Sequence, residues 1–312
     1  MNGSFASFRR CKTRHSAIPI IIWVLFWVGC ESTPTVDHSS PPTDPPTYAE
    51  IAELNNHRVS QLQKTHSYGV LELRWEDESG VHSEPQVGVE MWFELPDLSA
   101  IRVDKLGEVF FWAGSDERRF WVFNLLDKNN KTAIIRERKD ARGDQGERGE
   151  EAVTFFGIHP ESLLELMGLR PLPDPGQSDH VVVFDPEQDG WSIEGLGEKG
   201  NTRIVFDIDS LLPQRIELRS SDGELLIYST LSKYASVSLP GISLLSFPRS
   251  PMWIDVVDEE GGGFAKIHLN EMTGQVADQP FDRVFDLDHL IRALAPDRVD
   301  DGSPNQNSGQ DH

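Results

Sequence analysis

Hydrophobic and polar residues alternate over long stretches of the chain, and this alternation is its strongest structural signal. In residues 87–95, Val, Val, Met, Phe and Leu take every second position, with Gly, Glu, Trp and Glu between them. Residues 69–76 and 215–219 show the same period, and a turn-forming Ser-Asp-Gly at residues 221–223 leads into another such run. A period of two places alternate side chains on opposite faces of a strand, so these segments predict antiparallel strands with one dry and one wet face.

Helical patterns are few. Residues 48–64 have apolar side chains at helical spacing, and Thr47 with Glu50 forms a predicted capping box at their start. Residues 159–168 and 286–294 predict two shorter helices. The predicted fold class is therefore mainly β (α+β), a single large curved antiparallel sheet or half-barrel with two or three helices covering its concave face. Further strands are predicted at 100–104, 132–138, 180–185, 191–195, 202–208, 253–258 and 264–270.

The densest apolar stretch is EVFFWAGSDERRFWVFNLL, residues 108–126. It predicts a hairpin that turns at residues 114–117 and is apolar on both faces. Such a hairpin needs cover on both sides, or it exposes a patch for lipid or a partner. Three interpretations are open: the centre of the core, the lining of an apolar cavity, or a docking surface for a partner protein. The docking surface would present Trp112, Trp121 and Phe123.

The N-terminus carries the features of an export signal. Basic residues between positions 9 and 14 precede an uncharged, largely apolar run at residues 17–29. As a helix this run would be roughly 20 Å long, which is shorter than the roughly 30 Å hydrocarbon layer of a bilayer. Residues 1–29 are therefore predicted to be a signal peptide instead of a membrane span.

The end of this signal, WVGC at residues 27–30, resembles a bacterial lipobox, in which a small residue precedes the cysteine that is acylated. The other cysteine, Cys11, lies in the segment to be removed, so the mature chain would have one thiol and no internal disulfide. We predict lipidation of Cys30, by palmitate or similar chains; ordinary cleavage near Gly29 and an uncleaved anchor are the alternatives. Glu31, where Asp would favour the inner membrane, points to the periplasmic face of the outer membrane by analogy with other lipoproteins.

Composition divides the remaining chain into three parts. Residues 30–47 are rich in proline and poor in apolar side chains, which predicts a disordered tether. Residues 48–295 are predicted to form one domain, and residues 296–312 an acidic, disordered tail. The formal net charge of −22 repels nucleic-acid phosphates and anionic headgroups. Nucleic acid is therefore excluded as a partner, and membrane attachment would depend on the N-terminal lipid.

The order of these features is similar to that of bacterial lipoproteins of the LolA/LolB-like superfamily. A lipobox, a tether and an amphipathic helix precede a long meander that contains IRVDKLGEVFFWAGSDERRFWVF at residues 101–123. The resemblance covers residues 48–273. It implies a curved half-barrel with helices on its concave side and an apolar cavity that accepts acyl chains of lipid or lipoproteins. The dry-face positions that it nominates as ligand-lining are Leu73, Trp75, Met91, Phe93, Phe111 and Phe120.

Signatures of catalysis are missing from the sequence. It has no GxSxG, HExxH, CxxC or P-loop pattern. Asp185, Glu187 and Asp189 resemble a calcium loop, but Leu196 stands where that loop needs Glu, which favours a charged turn. We expect no enzymatic activity, metal or cofactor.

Two functions fit this sequence. In the first, a membrane-anchored envelope lipoprotein binds an acyl chain, lipid or lipoprotein in its half-barrel, for transport or sensing. In the alternative, a structural or interaction lipoprotein of the same fold docks an envelope partner protein through its aromatic hairpin.

Overall fold

The computed structural model describes residues 44–77, 80–137, 162–176, 179–197, 201–242, 247–259, 261–274 and 281–302. They belong to one compact unit, His38–His312. The predicted signal peptide, the predicted lipidation site Cys30 and most of the predicted tether lie outside the described residues. No helix within the described ranges is both long and apolar enough to cross a bilayer.

Among the residues that the structure describes, fourteen strands form one sheet that is not closed into a barrel. Neighbouring strands in it are antiparallel except β16 and β6, which are parallel. The mainly β fold class and the single large sheet are thereby confirmed. The described strands are β1 (Lys64–Asp77), β2 (Gly80–Glu94), β3 (Leu98–Lys105), β4 (Glu108–Ser115), β5 (Arg119–Asn124), β6 (Thr132–Glu137), β7 (Val182–Asp185), β8 (Gly190–Leu196), β9 (Thr202–Asp207), β10 (Pro213–Arg219), β11 (Leu225–Ser232), β12 (Ala235–Ser236), β13 (Arg249–Ser250), β14 (Trp253–Asp258), β15 (Phe264–Gly274) and β16 (Arg298–Asp300).

The sheet joins two meanders. Its order is β16-β6-β5-β4-β3-β2-β1-β15-β14-β11-β10-β9-β8-β7. Strands β1 to β6 run from the middle of the sheet towards one edge, which β16 forms, and β7 to β11 run inwards from the other edge. β15 pairs with β1, with Leu71 opposite Ile267 and Leu73 opposite Ala265, so the two parts of the chain meet in the middle of the sheet.

The alternation of apolar and polar residues along each strand determines on which side of the sheet each side chain lies. Val87, Val89, Met91 and Phe93 of β2 are at most 3% exposed and share one side, which we call the inner face. The residues between them point to the opposite side, the outer face. A slip of one residue would move the whole apolar set to the other face, so this pattern fixes the register.

Two helices pack against the inner face: α1 (Tyr48–Gln61) and α2 (Leu163–Leu166). The predicted capping box is present, because the amide of Glu50 donates to Thr47 Oγ1 (3.3 Å) and the amide of Thr47 donates to Glu50 Oε2 (2.8 Å). α1 ends earlier than predicted because Lys64 already pairs with Glu94 at the start of β1. Part of the predicted helix at 159–168, residues 159–161, lies outside the described residues.

Two further helices, α3 (Phe281–Val284) and α4 (Leu287–Leu294), pack against the outer face. The sequence predicted all helices on one side of the sheet, and the position of these two is a difference. The physical reason lies in the hairpin β4–β5, whose outer face carries large apolar rings that water would solvate poorly. α4 begins at the N-cap Asp286, whose Oδ1 accepts from the amide of His289 (2.9 Å).

The predicted disordered tail, residues 296–312, begins too early. Arg298–Asp300 form β16, which pairs with β6 at the sheet edge, and residues 303–312 lie outside the described ranges. Two hydrogen bonds, Arg136 Nη2 to Asp300 Oδ2 (3.0 Å) and Arg136 Nη1 to Asp300 Oδ1 (3.1 Å), add to the strand pairing. This strand is held by backbone pairing and one ion pair, and neither needs apolar side chains. The polar composition of the segment therefore predicted disorder.

Candidate functional site

The six residues predicted to line a ligand cavity lie together on the inner face. Leu73, Met91, Phe93, Phe111 and Phe120 are buried in its apolar core, and Trp75 is partly buried against that core. None of these six borders the cavity beside α1 that is lined by Leu172, Leu196 and Ile204. The structure thus brings the predicted set into one cluster, in which the side chains pack against other side chains of the protein.

The cavity beside α1 lies between that helix, residues 168–173 and strands β8 to β10. Its lining includes the apolar side chains of Leu172, Leu196, Ile204 and Pro213, together with Asn55 of α1, Glu165 and Arg170. Its volume is about 40 Å³. A buried water needs roughly 10–15 Å³ in this measure, so the cavity holds about three waters and no acyl chain.

Polar contacts close the layer above this cavity. Side chains of α1 bond the main chain of residues 168–173, and we call this row of contacts the seam. Asn56 makes two of them: its Nδ2 donates to the carbonyl oxygen of Leu172 (2.9 Å), and its Oδ1 accepts from the amide of Leu172 (2.7 Å). The Tyr48 hydroxyl donates to the carbonyl of Pro173 (2.7 Å), and Asn55 Nδ2 donates to that of Arg170 (3.3 Å). The seam therefore has a polar rim above an apolar floor.

Arg58 places a buried positive charge at the end of the seam. It is 6% exposed and donates to the carbonyl oxygens of Gly168 and Arg249 and to Asn55 Oδ1. Within the described ranges, no carboxylate pairs with it. Burial lowers the pKa of this guanidinium, because a charge without water is costly. If α1 moved away from the sheet, water would reach this charge. The cost of burying the charge therefore favours movement of α1 away from the sheet.

Tyr234 lies close enough to Arg58 for the two side chains to interact electrostatically. Its hydroxyl donates to the carbonyl oxygen of Pro213 (2.5 Å). Burial raises the pKa of this phenol, and the positive charges of Arg58 and Arg249 only partly offset that effect. The phenol therefore stays protonated and acts as a donor, which ties the cavity wall at Pro213 to the rest of the fold.

The three residues predicted as a docking surface do not form a surface. Trp112, Trp121 and Phe123 are buried on the outer face beneath α3 and α4, and this corrects the prediction. The Trp112 ring also stacks on Trp92, with centroids 5.7 Å apart and planes at 9°. The physical reason is that the amphipathic C-terminal helices cover these rings. The cover for the second dry face of the hairpin thus comes from the chain itself.

The residues that resembled a calcium loop hold a different arrangement. Asp185 is paired with Arg203 and accepts from the amides of Glu187 (2.9 Å) and Gln188 (3.1 Å). Burial acts to raise the pKa of the Asp185 carboxyl, but these hydrogen bonds outweigh it, so the pKa is lowered. Among the described residues, no group of three or more His, Cys, Asp or Glu is placed to hold a metal ion.

Sequence patterns did not point to the seam. Tyr48, Asn55 and Asn56 bond partners that are 115 to 125 residues away, and such contacts leave no local periodicity. The sequence does contain one signal for these contacts. Asn55 and Arg58 lie on the helix face that carries Ile51 and Leu62, and polar residues on a buried face require buried partners.

Comparison with known proteins finds distant likenesses in architecture. No protein-family model matches the chain, and no curated protein matches it. An outer-membrane lipoprotein-sorting protein domain from Vibrio parahaemolyticus is 13% identical and has a TM-score of 0.46, with 75% of this chain and 94% of that chain covered. A LolA superfamily protein from Nitrosomonas europaea is 14% identical with a TM-score of 0.45 and coverages of 78% and 100%.

A third solved structure, a DUF1329 family protein from Desulfovibrio piger, is 15% identical with a TM-score of 0.49 and coverages of 77% and 98%. The solved structures to which the chain is similar thus include one of a LolA superfamily protein and one of an outer-membrane lipoprotein-sorting protein domain. At identities of 15% or less and TM-scores below 0.5, these likenesses carry no argument about a ligand or a partner.

Proposed function

We propose that this chain is a non-catalytic lipoprotein of the cell envelope that binds an acyl chain of a lipid or lipoprotein between α1 and the inner face. Acyl groups on Cys30 would anchor it to the periplasmic face of the outer membrane, and residues 30–47 would be its tether. There it would carry or sense its ligand. The observation that carries the proposal is the seam, a row of exchangeable polar contacts that holds α1 over an apolar floor.

The energies of opening and filling are of similar size. Lifting α1 would expose Ile51, Val59 and Leu62, at roughly 1.5–3 kcal/mol each. The seam hydrogen bonds would be exchanged for bonds to water at a net loss of only about 1 kcal/mol each. An acyl chain recovers about 0.8 kcal/mol per methylene, or on the order of 10 kcal/mol for sixteen carbons and about half of that for eight. The gain from sixteen carbons is therefore comparable with the cost of opening, whereas the gain from eight carbons is well below it.

In the open form, the predicted lining residues would become the deeper wall of the site. Leu73, Met91 and Phe93 belong to the same apolar core as Leu172 and Ile204 beside the cavity. A chain that enters at the seam would therefore meet a continuous apolar surface across the inner face. Trp75 would lie at the edge of that surface.

A fluorescent sixteen-carbon fatty acid tests this proposal when it is titrated into residues 31–312, which lack the apolar run of residues 17–29 and so need no detergent. We expect saturable binding, at least tenfold weaker binding of an eight-carbon analogue, and at least tenfold weaker binding to Ile204→Trp, which fills the cavity. Leu106→Trp is the matched control, because Leu106 is fully exposed. Thermal unfolding of each variant checks that it folds. No uptake by the parent chain, or equal losses in both tryptophan variants, would refute the proposal.

The dense packing of the inner core favours a second function. An interaction lipoprotein of the same fold would keep that core filled, as Met91, Phe93 and Phe120 are here. Trp112 and Trp121 are buried beneath α3 and α4, so a partner would bind elsewhere on the surface. Affinity purification from the host, with a fatty-acid titration of the same preparation, separates the two functions. Recovery of one stoichiometric partner protein by a chain that takes up no fatty acid would support the second one.

A further inference from the structure

The strand β7 forms one edge of the sheet. In the part of the chain that the structure describes, it pairs with β8 alone, with Val183 opposite Ser192 and Phe184 opposite Trp191. The other side of its backbone therefore has no neighbouring strand there. Such an edge is a template on which a second extended chain can pair.

The outer side of this edge is apolar and open to solvent. Val181 is 70% exposed and Val183 is 55% exposed, whereas Val182 and Phe184 between them pack against the inner core. Valine at an exposed edge position is unexpected, because charged side chains usually protect sheet edges. This side of β7 is therefore accessible to a binding partner, because none of the described residues covers it.

An open groove lies along these valines on the outer face, and we call it the β7 groove. Its volume is about 690 Å³, within the range of roughly 300–1,000 Å³ that is usual for ligand sites. Val183 forms one wall, and Ser192, Glu194 and Arg203 on the neighbouring strands form the floor. The groove is thus large enough to hold several side chains of an extended segment.

The charge of the groove is negative. Four carboxylates border it: Asp179, Asp185, Glu187 and Glu194. Among the described residues that line the groove, Arg203 is the one arginine or lysine. Arg203 already pairs with Asp185 and with Glu217 Oε1 (3.1 Å) outside the groove. Its third contact, Nε to Glu194 Oε1, is long at 3.4 Å, and the Glu194 side chain is largely exposed. The carboxylates thus exceed the cations, which favours a basic occupant.

We propose that an extended, basic peptide segment of a partner protein binds in the β7 groove by adding a strand alongside β7. Main-chain hydrogen bonds to β7 would provide affinity, as in other cases of strand addition. Alternate side chains of the segment would face the groove, where lysine or arginine meets Glu187 and Glu194 and an apolar side chain meets Val183. This site is on the outer face and does not depend on acyl-chain binding at the seam.

Fluorescence anisotropy with the full-length chain in detergent tests the proposal. The probe is a labelled ten-residue peptide that alternates lysine and valine. We expect saturable binding below 1 mM. A version with N-methyl groups on alternate backbone amides and a version with glutamate in place of lysine should both bind at least tenfold more weakly. No binding of the parent peptide up to 1 mM, or equal binding of the N-methylated peptide, would overturn the proposal.

A pair of double variants separates the groove from the general acidity of the chain. Glu187→Lys with Glu194→Lys should weaken binding at least tenfold. Glu224→Lys with Glu259→Lys changes the net charge equally at exposed positions outside the groove and should change the Kd less than twofold. Similar losses in both double variants would overturn the proposal. Unchanged melting curves confirm that each variant is folded.

Discussion

The hydroxyl of Tyr48 donates a hydrogen bond of 2.7 Å to the carbonyl oxygen of Pro173 and joins the first turn of α1 to a segment 125 residues further along the chain. Burial raises the pKa of this phenol, and the nearby Asp174 acts in the same direction. The hydroxyl therefore remains a donor well above neutral pH. Because Asn56 bonds the same segment from the next turns of the helix, α1 is held to the layer as one unit.

Removing this hydroxyl should make the seam easier to open. We expect Tyr48→Phe to lower the free energy of unfolding by about 1 kcal/mol, because one hydrogen bond is lost. It should also speed the uptake of a sixteen-carbon fatty acid, measured by stopped-flow fluorescence. Tyr68→Phe is the control, since Tyr68 is exposed on the outer face. Slower uptake by Tyr48→Phe would contradict the role of the seam as a closure.

Arg58 should be important for stability. Arg58→Ala leaves the carbonyl oxygen of Gly168 and the side-chain Oδ1 of Asn55 without this donor and opens a cavity inside the layer. We expect the free energy of unfolding, measured in urea, to fall by about 3 kcal/mol or more. Arg74→Ala changes the same residue type at an exposed position of β1 and should have little effect. A loss below 1 kcal/mol for Arg58→Ala would show that this guanidinium does not hold the layer.

Glu217 should make stability depend on pH. Its carboxylate accepts from Arg215 Nε (2.7 Å) and Arg219 Nη2 (2.5 Å) and lies 3.1 Å from Arg203 Nη1. Burial acts to raise the pKa of this carboxyl, but the three arginines outweigh it, so the pKa is lowered. A lowered pKa in the folded state stabilises the fold above the unfolded value of about 4.3, and that contribution is lost as the pH falls through the lowered value.

We therefore expect Glu217→Gln to be less stable at pH 7 by roughly 2–3 kcal/mol, because three partly exposed arginines lose their shared carboxylate. Between pH 5 and pH 3, its free energy of unfolding should fall less steeply than that of the parent chain. Urea unfolding at a series of pH values measures both effects. Glu224→Gln, at an exposed turn, should follow the parent curve. Parallel pH curves for Glu217→Gln and the parent would contradict the prediction.

The C-terminal helices should protect the tryptophans of the hairpin. Leu290 of α4 is buried against the cluster that contains Trp112 and Trp121. We expect Leu290→Ala to cost about 2–5 kcal/mol and to shift tryptophan emission to longer wavelength as water reaches the rings. Leu54→Ala, at an exposed position of α1, is the control. Lower stability with unchanged emission would show that Leu290 supports some other part of the fold.

Alternation was sufficient to predict the sheet. A hydrophobic period of two determines which face of the sheet each residue lies on. The burial of Met91 and Phe93 could therefore be predicted from the alternation of the residues around them. It also predicted most strands to within a few residues. The same logic identified both dry faces of the hairpin around Trp112 and Trp121, because no polar residue interrupts either set.

The placement of helices and cavities could not be predicted in this way. The apolar stripe of α4 shows that the helix packs on something, but not on which side of the sheet it packs. Whether Phe111 or Ile204 borders a cavity depends on the volume of every side chain across the layer, and periodicity contains no volumes. β16 escaped prediction because its stability comes from the backbone of β6 and from Arg136.

The most direct test of the central claim, that α1 opens to admit an acyl chain, is native mass spectrometry of the chain gently extracted from the envelope of its host. The account predicts a species heavier than the polypeptide with its covalent anchor by the mass of one lipid. Ile204→Trp should reduce this species, and Leu106→Trp should leave it unchanged. Spectra that show only the anchored polypeptide for all three chains, under conditions that keep it folded, would contradict the account.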